Sequence, residues 1–381
     1  MMSNKPLGSI TSIASNPPLE SSDVREGIVL RFWLKEVAGW AVPEERVNDC
    51  LKHIIPTKNE VEIHKVAGGK RAIYKNLGVC GSVWMCPICS SRITEHRRKE
   101  LNLAISRWDG SMLMITYTLS HSREMLLTNV LNSLKEAYRG LKSGAFFKAI
   151  KRDYYWFGSV RALEVTHGKN GWHTHIHELV FIEKHGRTPE ENCLTDAQIE
   201  GLKFKMFKQW RVTLAREGKS ADFEHGLDIR TGKSYVADYI AKWGREPITD
   251  RWDVAHEITK QPQKKTNFEG NRTPLQILFD FGEGDKKSGK IWREYALGFK
   301  GSHQLQWSRD LREVCKLAVE QSDLEIASEI PPEFSLFATL TANEWKQVRN
   351  SHNEGRLLKA AAELDADGFR QFLNSIIENY G

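Results

Sequence analysis

The sequence predicts an α+β protein built on a central antiparallel β-sheet with flanking helices, preceded by a small zinc-binding module. Three observations carry the sheet. Met112 to Leu119 is a short apolar, β-branched run of the kind that forms a largely buried strand. Ser159 to Thr166 and Trp172 to Ile182 are two more strands, joined by His167-Gly168-Lys169-Asn170-Gly171, a loop with the Gly and Asn residues that turns need. Helices fall irregularly between them, and strands this close in sequence pair most simply as an antiparallel hairpin.

Taken in order, Met1 to about Arg25 is rich in Ser, Pro and Asn and is expected to be a disordered leader. It has neither the basic nor the apolar segment of a secretory signal. Gly27 to Gly69 carries Val29, Phe32, Trp33 and Val37 in a roughly helical pattern. The segment Arg71 to Cys89, with its glycines and cysteines, reads as a knuckle rather than a regular element. A charged helix is expected from Ser91, and a second over Leu126 to Leu141, where apolar residues recur at helical spacing. Thr195 to Glu217 is helical by pattern, Leu227 to Arg230 is a short strand, and Ser234 to Trp243 is a compact helix ended by Gly244 and Pro247. Thr273 to Glu320 is partly helical, and Ile330-Pro331-Pro332 marks a break before a final helical segment.

These elements suggest four parts: the leader 1–25, an N-terminal region 26–105 with the cysteine module, a domain 106–247 around the sheet, and a mostly helical region 248–381 with no readable role. A chain of 381 residues has room for two or three domains. Its composition, 40% hydrophobic and 27% charged, is that of a soluble globular protein, and no apolar run approaches the roughly 18–20 residues of a membrane span. Six cysteines are too few for a disulfide framework, which points to a reducing, cytoplasmic compartment. The net charge of +6 favours nucleic acid as a partner without specifying it. Basic runs at Arg97-Arg98-Lys99, Lys148 with Lys151-Arg152, and Lys264-Lys265 are candidate phosphate contacts, although such runs are usually solvated faces.

Three groups of residues carry chemistry. Cys80, Cys86 and Cys89 put three soft ligands in one knuckle, with Pro87 inside the Cys-x2-Cys loop. Zinc takes four such ligands in a tetrahedron. Cys50 is the leading fourth ligand, with His53, His64 and His96 as alternatives, and four protein ligands would make the zinc structural. The second group is Gly171-Trp172-His173-Thr174-His175-Ile176-His177. Side chains two apart on a strand share a face, so His173, His175 and His177 line one surface. On the partner strand Glu164 falls opposite His175 if the hairpin turns at Lys169-Asn170, and mixed imidazole and carboxylate ligation suits Mn²⁺ or Mg²⁺ at an open site. The third group is Tyr235-Val236-Ala237-Asp238-Tyr239-Ile240-Ala241-Lys242, where Tyr235 and Tyr239 stack one helical turn apart and Lys242 lies on the same side.

Together these residues resemble the HUH endonuclease superfamily and, within it, the rolling-circle plasmid replication initiators. The likeness runs from about Cys50 to Lys242, through the strand Met114 to Leu119, the core His175-Ile176-His177 and the tyrosine helix, and more weakly over Trp292 to Arg312. The resemblance implies an HUH nuclease domain over 106–247 and metal-dependent nicking of origin DNA, single-stranded or in a hairpin at the nick. His175, His177 and Glu164 would hold the catalytic ion, with His173 as a further ligand or phosphate contact. Tyr239 would be the nucleophile, Lys242 a contact to the scissile phosphate or the metal site, and a host helicase and polymerase the partners. Many initiators carry Glu four residues before the nucleophile; here that residue is Tyr235, as in two-tyrosine phage initiators and transposases. A two-tyrosine transposase and a non-catalytic zinc-dependent DNA-binding protein are the competing readings.

Overall fold

The computed structural model describes residues 27–186, 188, 191–231 and 271–380. The leader, the helix read over Ser234 to Trp243 with Tyr235, Tyr239 and Lys242, and the pair Lys264-Lys265 lie outside the described residues.

The fold is α+β on two antiparallel sheets. The smaller joins β1 (Glu60–Val66), β2 (Ala72–Lys75) and β8 (Phe334–Thr341) in the order β2-β1-β8. The larger joins β3 (Ser111–Thr118), β4 (Trp156–Gly168), β5 (Gly171–Ile182), β6 (Leu227–Thr231) and β7 (Leu305–Trp307) in the order β6-β3-β5-β4-β7. Around them lie α1 (Gly27–Ala41), α2 (Pro87–Arg107), α3 (Leu127–Leu141), α4 (Gly144–Asp153) and α5 (Asp196–Arg216). Beyond residue 270 come α6 (Pro274–Gly282), α7 (Lys286–Phe299), α8 (Leu311–Val314), α9 (Asp323–Ser328), α10 (Ala342–Asn350), α11 (Glu354–Glu363) and α12 (Ala366–Tyr380).

The β4–β5 hairpin is longer than read from the sequence. Pairing continues to Gly168 opposite Gly171, and Glu164 stands opposite His175. Gly171 takes φ +83, a left-handed conformation that glycine adopts without steric cost. The even-numbered residues of β5, among them Ile176 and Glu178, point into the main core, where they meet Leu131, Leu134 and Tyr138 of α3 and Trp210 of α5. α5 opens with a capping box, Thr195 and Gln198 each satisfying the other's backbone N–H.

Three expectations need correction. The helical pattern of Gly27 to Gly69 holds only over α1; further on, Val61 and Ile63 alternate with more exposed neighbours and form β1. The knuckle over Arg71 to Cys89 contains β2, and the tail read as helical contributes β8, whose partner β1 is some 270 positions away in sequence. Strands whose partners are so distant carry little local signal.

One buried ion pair sits behind the larger sheet. Glu178 accepts hydrogen bonds from the hydroxyls of Tyr117 and Tyr138, each at 2.8 Å, and of Ser159 at 2.5 Å, and pairs with Lys142 Nζ at 2.7 Å. The Lys142 ammonium also lies 3.7 Å from the ring centre of Trp156, and its burial pushes its pKa down to about 8 against the pull of Glu178. Removing one partner of such a pair strands the other charge. Lys142→Met is expected to cost about 3–5 kcal/mol in urea denaturation. Lys142→Met with Glu178→Gln, which keeps the hydroxyl contacts and removes the charge, should recover most of that; an equal loss in both variants would show that the stranded charge is not the cause.

Candidate functional site

The cysteine module assembles from two segments. Cys50 follows a short 3-10 turn at Arg46–Asp49, Cys80 precedes the left-handed Gly81, Cys86 caps the N-terminus of α2, and Cys89 lies in its first turn. All four side chains are buried and their sulfurs lie within 4.8 Å of one another. The Cys50–Cys89, Cys80–Cys89 and Cys50–Cys86 separations are 3.6, 3.7 and 3.7 Å. A tetrahedron of sulfurs with Zn–S bonds of ~2.3 Å has edges of roughly 3.8 Å, so the cluster can hold a metal ion such as zinc.

Backbone amides already donate to this sulfur set: Cys80 N to Cys50 Sγ at 3.4 Å, Ser82 N to Cys80 Sγ at 3.5 Å and Cys89 N to Cys86 Sγ at 3.5 Å. Four thiolates around Zn²⁺ leave an excess of two negative charges, and two cations stand near. Lys35 is buried and donates to the Cys50 carbonyl at 3.3 Å; burial opposes its charge, but Glu36 and Glu354 outweigh that and hold its pKa up. Arg92 reaches the carbonyls of Ala327 and Tyr74 from α2, close enough for the thiols to offset part of the cost of burying its charge. The alternative ligands face other partners: His64 bonds Glu62 at 2.7 Å, His53 lies 3.9 Å from Asp49, and His96 lies 3.8 Å from Glu100.

The histidine face forms on the opposite side of β5 from Glu178. His173, His175 and His177 are each half-buried, with ring centres 4.1 Å apart for the first pair and 5.6 Å for the second. β3 supplies a hydroxyl to each of two rings: Thr118 Oγ1 lies 3.0 Å from His175 Nδ1, and Thr116 Oγ1 lies 3.0 Å from His177 Nδ1. Contacts at Nδ1 fix the orientation of these two rings, as second-shell partners do for metal-ligating histidines. On the other flank Glu164 Oε2 lies 2.7 Å from His177 Nε2. His173 Nδ1 meets His121 Nε2 at 3.0 Å.

Burial, with the neighbouring imidazoles His173 and His177, pushes the His175 pKa down to about 3. Burial raises that of Glu164, but the His177 hydrogen bond and the charges of the histidines outweigh it and hold the carboxyl below its usual range. Burial likewise lowers the His173 pKa, so His173 and His175 are neutral imidazoles beside an ionised carboxylate at neutral pH. Among the described residues, the cysteines alone close to within 4.8 Å as a set of three or more ligands; the imidazoles and Glu164 stand side by side without drawing together that far.

Tyr235, Tyr239 and Lys242 lie outside the described residues, between the end of β6 at Thr231 and Asn271. Arg272 exchanges two backbone hydrogen bonds with His167, at the tip of the hairpin that carries the histidines. Thr116, Thr118 and His121 were not picked out from the sequence. The strand period gave a signal for the threonines, since Thr116 and Thr118 register against His177 and His175. His121 lies in the loop after β3 and had no such signal.

Two proteins show similarity along the chain. A Streptomyces lividans protein named "Protein rep" is 25% identical over 312 residues, covering 65% of this chain and 66% of that protein. A Streptomyces cyanogenus protein named "Neomycin resistance protein" is 29% identical over 158 residues, covering 34% of this chain and 35% of that protein. The chain thus matches just under two thirds of the length of the first relative and about a third of the second. No family model matches, and no solved structure matches. Nothing in the geometry of the described residues accounts for the name of the second relative. No helix among the described residues is long and apolar enough to cross a membrane.

Two measurements probe these sites. Elemental analysis of purified protein should find one zinc per chain in the wild type and a substoichiometric amount in Cys50→Ser, with a lower melting temperature, since structural zinc contributes directly to folding; a zinc-free, equally stable wild type would sink the assignment. The second uses pH. A histidine neutral in the fold but titrating near 6.5 when unfolded binds more protons in the unfolded state between those two values. Its stabilising contribution is therefore full above pH ~6.5 and is lost as pH falls toward about 3. In EDTA, His175→Gln should flatten the acid side of a melting-temperature profile relative to wild type, and parallel profiles would exclude His175 as the titrating group.

Proposed function

We propose that this chain is a plasmid replication protein that initiates rolling-circle replication by nicking and rejoining one DNA strand at an origin. The observation that carries the reading is the centre of the larger sheet, where His173, His175 and His177 share one face and Glu164 pairs in register opposite His175. The relative named "Protein rep" supports replication as the process. In this reading β3 to β6 of the larger sheet belong to an HUH nuclease domain over 106–247, with β7 added to its edge from the later chain, and the cysteine module in front of it is structural.

His175, His177 and Glu164 would hold Mn²⁺ or Mg²⁺, with His173 as a further ligand. The ion would withdraw charge from the scissile phosphate and orient it for in-line attack. Tyr239, whose unperturbed pKa is ~10, would supply the nucleophilic oxygen. Its bond to phosphorus forms as the bond to the 3′ oxygen breaks, leaving a 5′-phosphotyrosine and a 3′-hydroxyl that takes up a proton and can prime synthesis. Lys242 would neutralise the phosphate, and Tyr235, one turn away, would carry the second cleavage that transfers the strand and releases a joined circle. A host helicase and polymerase would extend the primer.

Incubation with labelled single-stranded origin DNA and Mn²⁺, then denaturing electrophoresis, tests the chemistry. Wild type should give a metal-dependent covalent adduct. Tyr239→Phe and His175→Ala/His177→Ala should give none, while Tyr235→Phe should nick but fail in strand transfer. Tight DNA binding with no adduct under any metal would instead support a non-catalytic DNA-binding protein.

A further inference from the structure

The loop after β3 leans against the tip of the β4–β5 hairpin. A Cβ on Gly171 would come within 3.0 Å of Arg123 Cα and 3.1 Å of the Ser122 carbonyl, so only the bare glycine allows this approach. The approach delivers His121 to two partners: its Nδ1 lies 3.0 Å from the Asn170 carbonyl oxygen, and its Nε2 lies 3.0 Å from His173 Nδ1.

The directions of these two bonds follow from what each atom can do. A carbonyl oxygen only accepts, so His121 Nδ1 carries the hydrogen. The neutral His121 ring then has an acceptor at Nε2, and His173 must donate to it from Nδ1. His173 is left with its lone pair on Nε2. That ring sits 4.1 Å, centre to centre, from His175, whose Nδ1 is likewise engaged, by Thr118.

We propose that His121 is a positioning residue: it fixes the tautomer of His173, so that this ring is held through Nδ1 and keeps its Nε2 lone pair for a divalent ion. The site would thus have a third imidazole oriented by a carbonyl-to-imidazole relay, in place of the threonine hydroxyls that serve the other two. The relay stands on hydrogen bonds alone; the role toward an ion rests on the reading under Proposed function. Loss of a second-shell partner of this kind typically weakens metal binding about 10–100-fold.

The test uses the full chain. In metal-free protein at pH 8, long-range ¹H–¹⁵N spectra should report His173 as the Nδ1–H tautomer in wild type, and a shift toward Nε2–H in His121→Ala. His121→Gln should restore the wild-type pattern, because its amide N–H can reach the Asn170 carbonyl while its amide oxygen accepts from His173. Mn²⁺ binding followed by electron paramagnetic resonance should weaken roughly tenfold or more in His121→Ala and recover in His121→Gln. His173→Ala and His121→Ala/His173→Ala should bind equally, since a residue that acts only through His173 adds nothing once His173 is gone. An Nε2–H tautomer in wild type, or additive losses in the double variant, overturns the proposal. The expected tautomer in a wild type that binds no Mn²⁺ would support the relay and overturn the metal reading instead.

Discussion

The register of β5 between β3 and β4 is the constraint on which the rest of the larger sheet depends. Both edges of the strand are hydrogen-bonded, so its two-residue period assigns every side chain to one face or the other. The histidines go to one side, and Ile176, Glu178 and Val180 go to the other. A slip of one residue would drive three imidazoles into an apolar core and expose Ile176 and a carboxylate that needs three hydroxyls and an ammonium. The buried network around Glu178 is therefore also a device for register: it can be satisfied in one pairing only.

The face that carries the histidines is not uniform along its length. Toward the far end of β5, Leu179 and Phe181 join Met112, Met114 and Val160 in a second apolar cluster, capped by Leu101 and Ala104 of α2 and by Leu311 and Cys315. Toward the hairpin tip the same face carries half-buried imidazoles and Glu164. α2 connects this arrangement to the cysteine module, because its first turn holds Cys89 and its last turns cover the sheet. At 21 residues it is roughly 31 Å long. Arg312 pairs with Glu100 at 2.6 Å and Arg107 reaches the Cys315 carbonyl, fixing the far end of the lever. A metal in the cysteine cluster would thus brace one end of a helix whose other end is part of the floor beside the histidines.

Local features made the hairpin legible in the sequence. The Lys169-Asn170 turn fixes the pairing, and pairing plus strand period puts Glu164 opposite His175 without any tertiary information. The cysteine knuckle was legible for the same reason, three ligands lying within ten residues. What escaped depended on contacts across the chain. β8 completes a sheet begun near residue 60, and neither its pattern nor that of β1 differs enough from an irregular apolar stretch to announce a strand. His121 is a lone histidine in a loop, and its contact with His173 exists only because Gly171 lets two loops touch. The threonines were visible as members of a strand but not as partners of imidazoles, since that requires knowing which strand lies beside β5.

The electrostatics of the histidine face bear on how it could meet DNA. A surface for phosphate alone would be expected to carry fixed positive charge, usually Arg or Lys. This one does the reverse: burial keeps His175 neutral, and the carboxyl of Glu164 is held ionised by the His177 bond and the nearby histidines. His175 and Glu164 thus offer a phosphodiester no fixed positive charge. Adding a divalent ion changes the sign of the site, since two positive charges exceed the single carboxylate beside them. In the proposed reading the ion is then required for the scissile phosphate to dwell there at all, as well as for its activation. The same depression of the pKa of His173 and His175 that removes fixed charge from the surface leaves one nitrogen of each ring unprotonated at neutral pH, which is the form a metal ion needs.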